Sequence, residues 1–159
     1  MSTNAPTTPL PSADGMRFAI VTAQWNSHIT HALRGGAIEV LRKAGVAPED
    51  IDTYDVPGAI ELTFAASQLI ETSQYDAIIV FGCVVRGGTP HFDYVCQSVT
   101  QGVTMLNADC DIPVIFGVLT VDKEQDAVDR AGGILGNKGC EAAQAAIHMA
   151  DFARRTKDL

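Results

Sequence analysis

Apolar positions fall along this chain in two alternating rhythms. RFAIVTAQ (17–24) is short and apolar almost throughout. SHITHALRGGAIEVLRKAG (27–45) then sets Ile29, Leu33, Ala37, Val40, Leu41 and Ala44 on one face at helical spacing, and Gly45 marks the stop. IDTYDV (51–56) reads as a second strand that breaks at Pro57-Gly58, and AIELTFAASQLIETS carries a helical stripe of Leu62, Ala65, Ala66, Leu69 and Ile70. DAIIVFGCVV (76–85) lacks the alternation of a half-exposed strand, so it belongs near the centre of a sheet covered on both faces. Phe92, Val95, Cys96, Val99, Val103 and Leu106 predict a long amphipathic helix, and PVIFGVLTV (113–121) a fourth strand. Asp122 is expected to cap the helix DKEQDAVDRAG, with Gln125 in the reciprocal position. GGILGNKG reads as a glycine-rich loop before a last, Ala-rich helix, CEAAQAAIHMADFARRTKDL.

Strands alternating with helices require right-handed crossovers, which yield a parallel sheet with helices on both faces. The expected class is therefore a three-layer α/β domain with a four-stranded parallel sheet. In such sheets ligands bind outside the carboxyl ends of the strands. The stretches to search are Trp25-Asn26, Pro57 to Glu61, Cys83 to His91 and Thr120 to Asp122.

Composition narrows the function classes. The 159 residues fit a single domain, expected over 16–159, behind a flexible arm over 1–15. The arm lacks the basic and apolar regions of a signal peptide, and its prolines favour extended chain that can lie against a neighbour. No apolar stretch is long enough to span a bilayer, so no membrane association is expected. A net charge of -8, with no basic run, argues against nucleic acid. Cys83, Cys96, Cys110 and Cys140 form no CxxC pair, which suits reduced thiols in a cytoplasmic location. His28 and His31 lack a third ligand at suitable spacing, so they read as surface histidines and no metal site is expected.

The densest chemistry lies in RGGTPHFDYV (86–95), directly after the apolar strand. Gly87 and Gly88 let backbone approach a ligand closely, and the first-turn N–H groups of a helix attract anions. Taken alone, the segment reads first as an ordinary loop-to-helix junction, with Thr89 as N-cap and Pro90 at the first helical position. His91 fits a proton shuttle or a solvent-facing histidine, and Arg86 a partner for an acid elsewhere in the chain. Glu61 complements a helix dipole or binds a polyol together with Ala59 and Ile60. Trp25, the only tryptophan, stands where it can stack on a planar ring. Arg130 and Lys138 read as surface cations or as charge supplied to a neighbouring chain's site.

VPGAIEL, FGCVVRGGTPHFDYV, PVIFGVLT, DRAG and GNKG, in this order, resemble the lumazine synthase family over roughly residues 16 to 155. The resemblance implies a flavodoxin-like fold and condensation of 5-amino-6-(D-ribitylamino)uracil with 3,4-dihydroxy-2-butanone 4-phosphate, two small-molecule substrates, without metal or organic cofactor. The expected product is 6,7-dimethyl-8-ribityllumazine, formed through a Schiff base and phosphate elimination in riboflavin biosynthesis. By motif position, Trp25 would stack on the pyrimidine, Ala59, Ile60 and Glu61 would hold the ribityl chain, and Cys83, Val84 and Val85 would present backbone to the uracil edge. Gly88, Thr89 and Arg130 would bind phosphate and His91 would move protons, with Phe116 and Lys138 completing the pocket and Arg86 supporting it. The family implies homo-pentamers with sites between subunits, an N-terminal arm added to a neighbour's sheet, in some members icosahedral shells, and association with riboflavin synthase. The family often has Phe where Trp25 stands and an aromatic residue where Ile60 stands. A homologue that only binds or stores ribityl-flavin ligands is the alternative.

Overall fold

A computed structural model describes residues 6–159. Its elements run β1 (Phe18–Ala23), α1 (Ser27–Lys43), β2 (Ile51–Val56), α2 (Leu62–Glu71), β3 (Ala77–Val85), α3 (His91–Asp109), β4 (Val114–Val121), α4 (Glu124–Arg130), β5 (Ala131–Gly133), β6 (Gly136–Asn137) and α5 (Lys138–Lys157). The first four strands form one parallel sheet in the order β2-β1-β3-β4. This is the expected three-layer α/β architecture.

The apolar rhythm explains the layers. Every residue of β1 and the first seven of β3 are buried, because both strands are interior and helices cover both faces. On one face Phe18, Ile20, Ile79 and Phe81 pack with Leu33 and Leu41 of α1 and with Ala143 and Ile147 of α5. On the other, Val21, Ile78 and Val80 pack with Leu62 and Ala66 of α2 and with Val99 and Val103 of α3. Each such Leu, Ile or Phe contributes about 1.5–3 kcal/mol of burial. Strand β2 lies at one edge with an exposed centre, and β4 forms the other edge.

Residues 1–5 of the expected arm lie outside the described residues. Ala13, near the other end of that segment, is buried and donates its N–H to the Ala44 carbonyl at 3.1 Å.

Several local expectations change. Asp122 does not cap α4: Lys123 holds the cap position without a side-chain bond, and the Asp122 carboxylate is taken by Arg86. Gln125 bonds Asp129 instead of closing the box. The GGILGNKG segment is not a plain loop but the antiparallel pair β5–β6, made possible by positive φ at Gly132 (100°) and Gly136 (81°). Helix α5 consequently starts earlier than Cys140, where the Asn137 side chain accepts from the Gly139 N–H at 2.8 Å.

Candidate active site

The order β2-β1-β3-β4 places a topological switch point between β1 and β3, since the chain leaves β1 to one side for β2 and returns on the other as β3. A crevice opens outside the carboxyl ends of the strands at such a point. Trp25 follows β1 and the RGGTPH loop follows β3, so the two most suggestive sequence features flank it.

Backbone pairing holds Trp25 in place. Beyond β1 the N–H groups of Gln24 and Trp25 donate to Val56 and Pro57 at 2.8 and 3.1 Å, so the chain stays bound to the end of β2. The indole lies over Gly58, where an added Cβ would come within 3.2 Å of Trp25 Cδ1. The side chain is nevertheless 73% exposed, which is unusual for a tryptophan with only packing to do. It borders an open depression of about 530 Å³ together with Asn26, Ser27, His28 and Pro57. Ala59, Ile60 and Glu61 form a short 3-10 turn beside it, with Ala59 buried and Ile60 exposed. The Glu61 carboxylate accepts the Gly58 N–H at 2.9 Å, which fixes this turn against the indole.

The end of β3 supplies backbone. Its pairing with β1 stops at Phe81, whereas its pairing with β4 continues to Val85. Past Phe81, β3 has no further register partner in β1 among the described residues. The Asn26 side-chain amide donates to the Cys83 carbonyl at 3.1 Å, so Cys83 points to the β1 side, as does Val85 two residues on. Val84 points toward Thr120 of β4. Of the three expected backbone donors and acceptors, Cys83 and Val85 therefore face the crevice and Val84 faces the sheet. Burial, with Glu124 adding to it, pushes the Cys83 thiol up to about 11, so this cysteine is a neutral packing group whose contribution is its backbone.

The RGGTPH loop is open. A Cβ at Gly87 or Gly88 would meet nothing within 4 Å, and neither residue has positive φ, so both serve to leave backbone uncovered. Pro90, not Thr89, holds the N-cap position of α3, without a side-chain cap; the Thr89 hydroxyl accepts the His91 N–H only at 3.4 Å, and the His91 ring is exposed at the first turn. Arg86 is held by three contacts: Nε donates to Asp122 at 2.6 Å, NH1 reaches Asp93 at 3.4 Å, and the guanidinium stacks 4.2 Å from the centre of the Phe92 ring. It braces the loop between β3 and β4.

Phe116, Arg130 and Lys138 occupy a second cleft of about 730 Å³ along edge strand β4, between α4 and α5. Phe116 is level with Val80, well below the strand end marked by Thr120. Arg130 donates to the Asp126 carbonyl at 2.7 Å, and Lys138 pairs with Glu141 at 2.8 Å. Within one chain these three side chains are together but do not join the β1–β3 crevice. His28, read from the sequence as a plain surface histidine, bonds Glu124 at 2.6 Å and so ties α1 to α4. Sequence reasoning missed the bridge from Asn26 to Cys83 and the clasp formed by Asn137. The only prior signal was an asparagine at each strand-to-helix junction, a residue type suited to caps and to left-handed backbone.

The profile of the family described as 6,7-dimethyl-8-ribityllumazine synthase matches residues 15–154. Proteins named 6,7-dimethyl-8-ribityllumazine synthase include one from Parabacteroides distasonis, 57% identical over 144 residues that cover 91% of this chain and 90% of that protein. Another, from Bacteroides fragilis, is 56% identical over 86% of this chain and 96% of its own length. A third, from Desulfatibacillum aliphaticivorans, is 43% identical over 92% and 94% respectively. With nearly the whole folded chain matched, the protein belongs to the 6,7-dimethyl-8-ribityllumazine synthase family.

Proposed function

We propose that the chain condenses 5-amino-6-(D-ribitylamino)uracil with 3,4-dihydroxy-2-butanone 4-phosphate to 6,7-dimethyl-8-ribityllumazine, releasing phosphate and water, a transferase step of riboflavin biosynthesis. The observation that carries this reading is the gathering of an exposed indole, unpaired strand backbone and an open glycine loop ending in a histidine around one switch-point crevice.

Trp25 stacks on the pyrimidine ring, and the backbone of Cys83 and Val85 reads its edge. Ala59, Ile60 and Glu61 hold the ribityl hydroxyls. Gly88 and Thr89 bind the phosphate with uncovered N–H groups at the start of a 19-residue helix. His91 stands beside them to exchange protons as the amine attacks the ketone and water leaves to give a Schiff base, as that Schiff base loses phosphate, and as ring closure expels another water. Holding two substrates in register contributes about 7–11 kcal/mol of the acceleration, so no single proton donor carries the whole rate.

Phe116, Arg130 and Lys138 complete the pocket from a neighbouring copy, with Arg130 closing over the phosphate. The outer edges of β2 and β4 carry no strand partner among the described residues, which supports an assembly in which a neighbour's arm adds to the sheet. A homo-pentamer is the proposed unit. Native mass measurement separates it from a decamer or an icosahedral shell, and a pull-down with riboflavin synthase tests association with the enzyme expected to use the product. The four unpaired cysteines support a cytoplasmic location.

Incubation of the purified chain with both substrates tests the reading. The expected result is the fluorescence of 6,7-dimethyl-8-ribityllumazine with phosphate released in equal amount. Binding without product favours the storage alternative and overturns it.

A further inference from the structure

We propose that Asn26 is a positioning residue that fixes the pyrimidine-reading backbone of β3 at a set distance from the Trp25 platform; this rests on the reading of the site given above. Asn26 is unusual in two ways. Its backbone is left-handed, φ 57° and ψ 46°, a region that asparagine tolerates better than most residues other than glycine. It also occupies the N-cap position of α1 without capping it: no side-chain bond goes to the first turn, although asparagine is among the best residues for that task. Departures of this kind collect at functional sites and call for a compensating gain.

The gain lies across the crevice. The left-handed turn swings the side chain away from its own helix so that its amide donates to the Cys83 carbonyl at 3.1 Å. That carbonyl lies past the last pairing of β1 with β3, Thr22 with Phe81, where it would otherwise face open space. Asn26 thus stands in for the missing continuation of β1. It does so from a rigid base, since its own carbonyl accepts the N–H groups of Ile29 and Thr30 at 2.9 and 3.1 Å. The buried Thr30 hydroxyl donates to Ala23 at 2.7 Å, which locks the first turn of α1 to the end of β1.

One side chain therefore joins the two walls of the crevice. Trp25, the preceding residue, sets the plane of a stacked ring, and Cys83 sets where Val85 offers its N–H and carbonyl. Among the described residues the Val85 groups have no such partner, because the Asn26 bond stops at Cys83, and they stay open to a ligand. A ring stacked on Trp25 meets matched donors and acceptors only when both walls keep their spacing, and small misplacements are costly. The Gly88–Thr89 loop is braced separately, through Arg86 and Asp122, so phosphate binding does not depend on this bridge.

Two variants isolate the side chain. Asn26→Gly keeps left-handed freedom and deletes the amide; Asn26→Asp keeps size and backbone tolerance but turns a carboxylate on the Cys83 carbonyl. Dissociation constants for 5-amino-6-(D-ribitylamino)uracil and for inorganic phosphate are measured on the full-length assembled proteins. The expected result in both variants is pyrimidine affinity weakened about tenfold, the scale of one buried hydrogen bond, with phosphate affinity unchanged. Unchanged pyrimidine affinity, equal weakening of both ligands, failure of both variants to fold, or a wild-type protein that does not bind the pyrimidine would each overturn the proposal. The readout does not involve turnover, so a wild-type protein that binds but makes no product sinks the proposed activity while leaving this test intact.

Discussion

Gly139, in the first turn of α5, lies directly against the backbone carbonyl of Leu33 on α1, with no room for a Cβ. Beside it the Asn137 amide donates to the Ala32 carbonyl at 3.0 Å while its oxygen caps α5, so one glycine and one asparagine clasp the two helices. The obstacle is backbone and cannot rotate away. Gly139→Ala is expected to destabilise the protein by about 2–3 kcal/mol, and Asn137→Ala by about 1–2 kcal/mol through two lost hydrogen bonds. Urea unfolding measures both, and midpoints equal to wild type would contradict the clasp.

Trp25 should separate function from stability. Its exposure means that Trp25→Ala costs the fold little, within about 0.5 kcal/mol. Loss of a stacked ring is worth about 1–3 kcal/mol, so KM for the ribitylaminouracil should rise roughly 5- to 150-fold, and Trp25→Phe should recover most of it. Thermal unfolding and steady-state kinetics on the same preparations check this; a large loss of stability would assign the indole to packing instead.

His91 and Arg130 should fail in different parameters. Removing a positioned proton carrier costs about 10²-fold or more, so His91→Ala should lower kcat on that scale without abolishing product, because substrate alignment persists. Arg130→Ala should chiefly raise KM for the phosphorylated substrate. An unchanged kcat in the first, or unchanged saturation in the second, would refute the role concerned.

Tyr75 links stability to alkaline pH. Burial, together with hydrogen bonds to Tyr54 at 2.7 Å and Asp52 at 2.8 Å, raises its phenol above the ordinary tyrosine range. A raised folded value means the folded protein holds this proton more tightly, so the stabilisation is complete below the unfolded value of about 10 and is lost as pH climbs toward the folded one. Between about pH 9 and about pH 11 the urea midpoint of wild type should fall more steeply than that of Tyr75→Phe. Parallel curves would show that the phenol does not titrate with unfolding.

The succession of strands and helices is legible in the sequence because burial writes it there: the unbroken apolar runs of β1 and β3 mark interior strands, and the stripe Ile29, Leu33, Ala37, Leu41 marks the inner face of α1. The crevice is legible too, since parallel sheets put their loops at predictable ends. What stays hidden depends on partners distant in sequence. Asp122 scores as a helix cap by local rules, and only the fold brings Arg86 to it across 36 positions. The β5–β6 pair rests on two glycine dihedral angles that composition does not encode. Asn26 and Cys83 stand 57 residues apart, so nothing near either one announces their bond. Phe116 is marked by resemblance alone and Arg130 and Lys138 also by their charge beside the glycine-rich segment, and the separation of all three from Trp25 within one chain gives the resemblance a geometric consequence.

That consequence can be measured by subunit complementation. Trp25→Ala and Arg130→Ala chains carrying different tags are co-expressed, hybrid assemblies are isolated on both tags, and lumazine formation is followed by fluorescence. If each pocket takes Trp25 from one copy and Arg130 from the next, some hybrid pockets regain both residues and the hybrids form product well above the mean of the two parent variants. If both residues serve a pocket within a single chain, every pocket in the hybrid carries one defect, and activity equal to that mean would contradict the shared site.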